Sequence, residues 1–399
     1  MKSHCSTLTK AAVLLCAAFG AAPLSRASDT IPAASDRQLQ WRVGVEAGGG
    51  WVPGTCTFLR GDNPAGRRVS ATAGGAVCAD FSFAPSTRPG RLYPGLYQGL
   101  GLGVDGYAAG GVMGTPVSVY VYQGAPIVHL TPRLWLGYEW QFGAAMGWRH
   151  HPEQSADNNA AVSTSVTARL GVRALLHYAM SPRWRLMAGV EARHYSNGNT
   201  HWPNGGVNSL GAVLGVAYVL NPQPGEVGAL HDIDDIERGW FYDVAVFGAW
   251  RKRIVTIRGD EELCPGRFGV AGVQFAPSRR LSRYVAVGPA LDMQWDESAG
   301  IAPYWIEGST GDGMKFRRPP FLRQCQVGVS AHAELTMPIF SVNAGLGVDL
   351  LCPQGEKRFY QSLTLKTFVT SSIYLNVGYR LSAFSHPQNL MLGLGYRFP

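Results

Sequence analysis

His194 and Ser196 stand two residues apart at the end of the run RWRLMAGVEARHYSNG. In that run Trp184, Leu186, Ala188, Val190 and Ala192 share one parity, while Arg185, Glu191 and Arg193 belong to the other. Alternate side chains of a β-strand point to opposite faces, so the imidazole and the hydroxyl are expected to emerge together on the apolar face. A serine hydroxyl is a poor nucleophile at neutral pH until a base takes its proton, and a histidine two residues away on one face is placed to take it. Such a pair on a face turned toward lipid predicts an enzyme whose substrate is itself a lipid.

The elements that must hold this pair follow from the rest of the chain. Lys2 and Lys10 precede the apolar stretch Ala11 to Ala22, and Ser25-Arg26-Ala27 offers small residues at a cleavage position. Residues 1–27 therefore read as an export signal, too short to span a bilayer. No later stretch approaches the roughly 20 apolar residues of a spanning helix, so a membrane-embedded chain must close into a barrel. The 399 residues include 50 Gly, and only 16% are charged, against about a quarter in soluble domains.

Strand patterning agrees. Leu134, Leu136, Tyr138, Trp140 and Phe142 line one face of a run whose other face holds Arg133, Glu139 and Gln141. Val327, Val329, Ala331, Ala333 and Leu335 alternate in the same way with Ser330, His332, Glu334 and Thr336. A soluble sandwich also alternates, but here small and charged residues sit on the inner face and bulky ones outside, the outer-membrane pattern. The last strand, Leu390, Leu392, Leu394, Tyr396 and Phe398, ends on the aromatic typical of an assembly signal, which makes the outer-membrane assembly machinery an expected partner.

Strands are expected near 39–51, 76–84, 93–107, 116–130, 133–148, 160–180, 183–197 and 207–220. A second set is expected near 240–250, 267–276, 284–296, 324–337, 339–351, 359–369, 373–382 and 389–398. Short breaks at Thr131-Pro132, Ser181-Pro182, Pro338 and Thr370 to Ser372 read as periplasmic turns, and longer polar segments as external loops. The fold class is all-β, a transmembrane antiparallel barrel, preferred as two eight-stranded barrels in tandem. The alternative is one barrel of 14 to 16 strands. Asn221 to Gly239, rich in Pro, Gly and acid, reads as a periplasmic linker between a first barrel (28–220) and a second barrel region (240–399).

The segment HYSNGNTHWPNGGVN, His194 to Asn208, resembles the lipid A 3-O-deacylases of the PagL type, often labelled acyloxyacyl hydrolases. The resemblance extends from about Leu39 to Leu220, taking in VYQGAPIV and YEWQFGAAMGW, as in a long subgroup of that family. It implies an eight-stranded outer-membrane barrel whose active residues face the lipid on the last two strands. It also implies an esterase that removes the 3-O-linked acyl chain of lipid A in lipopolysaccharide, without a cofactor. Carried over, Ser196 is the nucleophile and His194 the general base. The family's acid falls at Asn208, an amide, which holds an imidazole tautomer but cannot stabilise imidazolium as a carboxylate does. Asn197 and Asn204 match family asparagines and are expected to supply the oxyanion site or its support. The competing class is a non-enzymatic barrel, a narrow pore or structural protein with a degenerate lipid-contact patch.

Other residues carry weaker signals. Cys56 and Cys78 flank an expected external loop and could pair, leaving an odd thiol among Cys264, Cys325 and Cys352. His150-His151 and His201 read as rim residues, since no carboxylate or second histidine has ligand spacing, and no metal is expected. Glu139, Glu191 and Arg193 read as an interior charge network. No phosphate loop, dinucleotide fingerprint or nucleic-acid module occurs. The net charge of +8 includes Arg251, Lys252, Arg253, Lys315, Arg317, Arg318 and Arg323, expected outside, where they meet lipopolysaccharide phosphates or remain solvated.

Overall fold

The computed structural model describes residues 39–150, 159–222, 238–257, 259–309, 313–353, 356–384 and 386–399. The expected export signal and residues 223–237 of the expected linker lie outside them. The first closed barrel runs β1 (Leu39–Trp51), β2 (Ala71–Phe83), β3 (Tyr97–Tyr107), β4 (Gly114–Thr131), β5 (Leu134–Trp148), β6 (Val166–Ala179), β7 (Trp184–Ser196) and β8 (Val207–Val219). It closes on itself, with β1 antiparallel to β8 through pairs such as Val45↔Val216.

The second barrel comprises β9 (Trp240–Arg251), β12 (Phe268–Arg280), β13 (Val285–Asp296), β14 (Cys325–Thr336), β15 (Phe340–Leu351), β16 (Phe359–Phe368), β17 (Ile373–Ser382) and β18 (His386–Phe398). It closes where β18 meets β9, with Leu394 opposite Val246. Two closures exclude the single wide barrel. No described helix is long and apolar enough to cross a membrane.

Each barrel is built inside out relative to a soluble core. In the first, Val45, Val77, Leu102, Val172, Val190 and Leu214 are exposed on the outside, while the lumen is a lattice of buried charges. The Arg173 guanidinium donates to Glu46 at 2.8 Å, Glu139 at 3.1 Å and Glu191 at 3.0 Å, and Arg193 joins Asp105 at 2.6 Å. Tyrosines fill the rest. The ring of Tyr120 occupies the space beside Gly101, where a Cβ would meet it at 2.2 Å, so only glycine fits there. In the second lumen Lys366 donates to Asp243 and Glu334, both at 2.6 Å, and Arg397 binds the same two carboxylates at 2.7 Å. Eight-stranded barrels are just wide enough for side chains to fill, and these are filled.

Several expected boundaries move, each for a local reason. The 93–107 strand begins at Tyr97 because Thr87 caps a short helix α1 (Arg88–Leu92), accepting from Gly90 N at 3.1 Å, with Pro89 in its first turn. The 160–180 strand begins at Val166. Residues 159–165 instead form a loop held by Asn159, whose Oδ1 accepts from Ala161 N (3.0 Å) and Val162 N (3.1 Å). The 267–276 strand continues through Pro277 to Arg280. Pairing with β13 skips residues 276–278 while pairing with β9 is unbroken, so the missing proline N–H costs little. A two-stranded hairpin, β10 (Ile254–Ile257) with β11 (Asp260–Leu263), was not expected.

Three side-chain expectations are corrected. Cys56 and Cys78 are both free, because Cys78 points into the lumen among Tyr97, Tyr120 and Tyr122. Arg251 is buried and paired with Asp296 at 3.0 Å, and Arg253 is paired with Glu356, so neither is a solvated charge open to a phosphate.

Because the first barrel closes on its own strands and satisfies its own lumenal charges, residues 28–220 expressed alone are expected to fold in detergent. Retention of a heat-modifiable band on electrophoresis is the measurement. A fragment that never folds would mean that the second barrel is required.

Candidate active site

Tyr195 fixes the end of β7. Its side chain is 1% exposed, its hydroxyl donates to Asp105 Oδ2 at 2.6 Å, and its ring packs edge-on against Trp148. With Tyr195 locked inward, its neighbours His194 and Ser196 must face outward, and both are half-buried on that face. The β7–β8 register sets His194 directly opposite Asn208. The imidazole Nδ1 lies 2.7 Å from Asn208 Oδ1. With a carbonyl oxygen as partner, Nδ1 carries the proton and Nε2 keeps its lone pair, the tautomer a general base needs.

The depth of the pair matters as much as its geometry. From Trp184 to Ser196 the strand rises about 3.3 Å per residue at about 40° of tilt, or about 30 Å along the membrane normal. Trp184 and Ser196 thus mark opposite edges of the apolar band. Around the pair, Leu170 faces His194 across β6 and Leu210 lies beside Ala192 across β8. Val172 (60% exposed) and Leu210 (57%) extend this apolar surface down the band.

The loop joining β7 to β8 is pinned at several points. Asn197 N donates to Asn204 Oδ1 at 3.0 Å, and Asn197 Nδ2 donates to Ser163 Oγ and to His201 O, both at 3.1 Å. Both amide hydrogens of Asn197 are thereby engaged in the loop, which makes it a support. Gly206 has φ +66°, a left-handed backbone, and a Cβ there would sit 3.0 Å from His194 Cε1. It is required on both counts. Gly205 and Gly206 donate to Ala160 O (2.8 Å) and Ala161 O (3.0 Å). These loops rest on an apolar cap at the barrel's outer end, which includes Val52, Phe58, Leu59, Val112, Met113, Ala161 and Val162. Cys56 packs on this cap, and burial pushes its thiol pKa up, so it stays neutral.

Two family models match the chain. The model for lipid A 3-O-deacylase (PagL) matches residues 93–217, and the model for the acyloxyacyl hydrolase C-terminal domain matches residues 240–399. Together they cover more than two thirds of the sequence. The chain belongs to the lipid A 3-O-deacylase family. This deacylase is accordingly an outer-membrane hydrolase of an ester bond, and the second barrel is the part matched by the C-terminal-domain model.

Similar solved structures include a de novo designed transmembrane β-barrel (16% identity, 45% of this chain and 95% of that one, TM-score 0.22). The siderophore receptor PirA from Acinetobacter baumannii (10%, 87% and 56%, TM-score 0.24) and a Rhodopseudomonas blastica porin mutant (8%, 90% and 100%, TM-score 0.16) are also similar. Comparison with curated proteins gives no match.

His194, Ser196 and Asn208 lie on one outward face of the first barrel, with Asn197 and Asn204 in the adjoining β7–β8 loop. The sequence reading missed Tyr195, Asn159, Ser163 and Gly206 as residues that position this surface. Only Gly206 carried a local signal, the Gly-Gly pair that opens β8.

Proposed function

We propose that the first barrel hydrolyses the 3-O-linked acyl chain of lipid A, with Ser196 as nucleophile, His194 as general base and Asn208 as the group that orients the imidazole. The observation that carries this reading is the 2.7 Å contact between His194 Nδ1 and Asn208 Oδ1 at the outer edge of the apolar band. An ester whose acyl chain lies in the outer leaflet presents its carbonyl at that depth, with the chain running along Leu170, Val172 and Leu210. Ser196 Oγ adds to the carbonyl carbon as its proton passes to His194 Nε2. The bond to the sugar 3-oxygen then breaks, and that oxygen takes the proton. Water repeats the sequence on the acyl-serine, releasing the fatty acid and restoring Ser196.

Developing negative charge on the carbonyl oxygen needs donors from the same surface. The amide nitrogen of Asn204 is the side-chain candidate, with Asn197 holding it in place. Filled lumens in both barrels argue against the pore reading. Lipid A from cells with and without the gene, compared by mass spectrometry, is the direct test. Loss of one acyl chain only when the gene is present is expected, and identical spectra would overturn the proposal.

Position 208 gives a sharper result. Here the tautomer is already set by the amide oxygen, so a carboxylate adds only its charge to the bond with imidazolium, about 1–2 kcal/mol. Asn208→Asp is expected to raise the deacylation rate by about ten-fold, and Asn208→Ala to lower it. Assays on purified lipid A check this, and a slower Asn208→Asp would show that position 208 does not orient the base.

A further inference from the structure

The second barrel ends, at its long-loop side, in a segment joining β13 to β14 that combines charge and apolar exposure. Lys315, Arg317, Arg318 and Arg323 are all exposed there. Arg318 keeps 68% of its side chain in solvent, with Glu297 at 3.6 Å. The other acid in the described loop, Glu307, is also exposed. Next to these cations, Phe321 and Leu322 form part of a single 3-10 turn that runs directly into β14. Leu322 is the most exposed large apolar side chain described, at 75%, and Phe321 stands at 66%. Water is a poor environment for two such side chains side by side.

Hydrogen bonds tie the described residues of this segment together. Arg317 N donates to Tyr304 O at 2.8 Å, Ile306 N donates to Lys315 O at 2.9 Å, and Arg323 donates to the Tyr304 hydroxyl at 3.3 Å. The apolar pair therefore stands at the long-loop end of β14, beside the cations. Basic residues at headgroup level with apolar residues reaching into the leaflet make up an interfacial lipid anchor.

We propose that this loop is a docking site for the phosphates of a phosphorylated glycolipid in the outer leaflet, with Phe321 and Leu322 inserted among its acyl chains. Charge complementarity selects the occupant, since the lipopolysaccharide leaflet presents phosphates at its surface. The inference rests on outer-membrane placement and not on the Ser196 reading, so each fails separately.

The test counts bound lipids on the purified full chain in detergent by native mass spectrometry. The probes are bisphosphorylated lipid A and the same lipid stripped of phosphate, with Ser196→Ala in all proteins to leave the probe intact. The parent protein is expected to take up a second bisphosphorylated molecule, with an affinity that falls as salt rises. The Lys315→Gln/Arg317→Gln/Arg318→Gln/Arg323→Gln variant is expected to bind that second molecule at least about ten-fold more weakly. Phosphate-free lipid should show the same weakening on the parent. Phe321→Ser/Leu322→Ser should also weaken it while leaving the salt dependence in place. Heat-modifiability checks folding, and if the four-fold variant does not fold, Lys315→Gln/Arg317→Gln and the salt dependence of the parent decide. Equal uptake of both lipids, or no response to salt, would overturn the proposal, as would inorganic phosphate displacing the second lipid at low millimolar concentration.

Discussion

Ser196→Ala is expected to reduce release of the 3-O-acyl chain by about four to six orders of magnitude, and His194→Ala by a similar factor. Nucleophile and base act as one unit, so removing either abolishes covalent catalysis and leaves only what binding and the oxyanion donors supply. Neither change should disturb the barrel. Both side chains sit half-buried on the outer face at the end of β7, while the register of that strand end is held by Tyr195 on the inner face, with its hydroxyl on Asp105 and its ring on Trp148. Purified variants assayed on lipid A, with heat-modifiability as the folding control, separate the two effects. Deacylation by Ser196→Ala at the parent rate would remove Ser196 from the mechanism. Loss of folding in His194→Ala would show that the pair with Asn208 is structural, since that bond joins the two side chains across β7 and β8.

Strand parity made the outward placement of the candidate residues legible in the sequence. Once Trp184 to Ala192 define the lipid face, His194 and Ser196 must follow, and Leu210 and Leu214 place Asn208 on the same face. A period of two leaves no other choice in a barrel with a sorted interior. The same parity should have excluded a Cys56–Cys78 disulfide, because Cys78 shares its inner face with Asp80. What stayed hidden depends on contacts distant in sequence. Arg251 and Arg253 read as surface cations because their partners, Asp296 and Glu356, lie 45 and 103 residues away. The cap that supports the site loop draws Phe58, Val112 and Val162 from three separate connections, none with a strand or helix period of its own. The run through Pro277 shows a related limit, because a proline stops a strand only where its nitrogen faces a partner, and that is a property of the neighbours.

Removing Arg173 is expected to cost the first barrel about 3–5 kcal/mol, the range for breaking a buried ion pair while leaving its partners in place. Its guanidinium is shared by Glu46, Glu139 and Glu191, all within 3.1 Å. In Arg173→Ala, Glu191 keeps Arg193 at 3.1 Å, while Glu46 and Glu139 are left facing each other in a closed lumen. At about 2–4 °C per kcal/mol for a unit of this size, the first barrel should unfold about 10 °C lower. The second barrel should be unaffected, since Asp243 and Glu334 are neutralised locally by Lys366 and Arg397. Thermal scans that resolve the two transitions provide the measurement. Arg173→Met combined with Glu46→Gln and Glu139→Gln should recover much of the loss, because the cost lies in the abandoned charges more than in the missing bonds. The consequence reaches the site through Arg193, which binds both Glu191 and Asp105, the acceptor of the Tyr195 hydroxyl. Arg173→Ala should therefore lower activity even below its unfolding temperature, by loosening the strand end that turns His194 and Ser196 outward. Unchanged stability in Arg173→Ala would mean that water enters the lumen and solvates the three carboxylates, and the filled-lumen argument against a pore would fall with it.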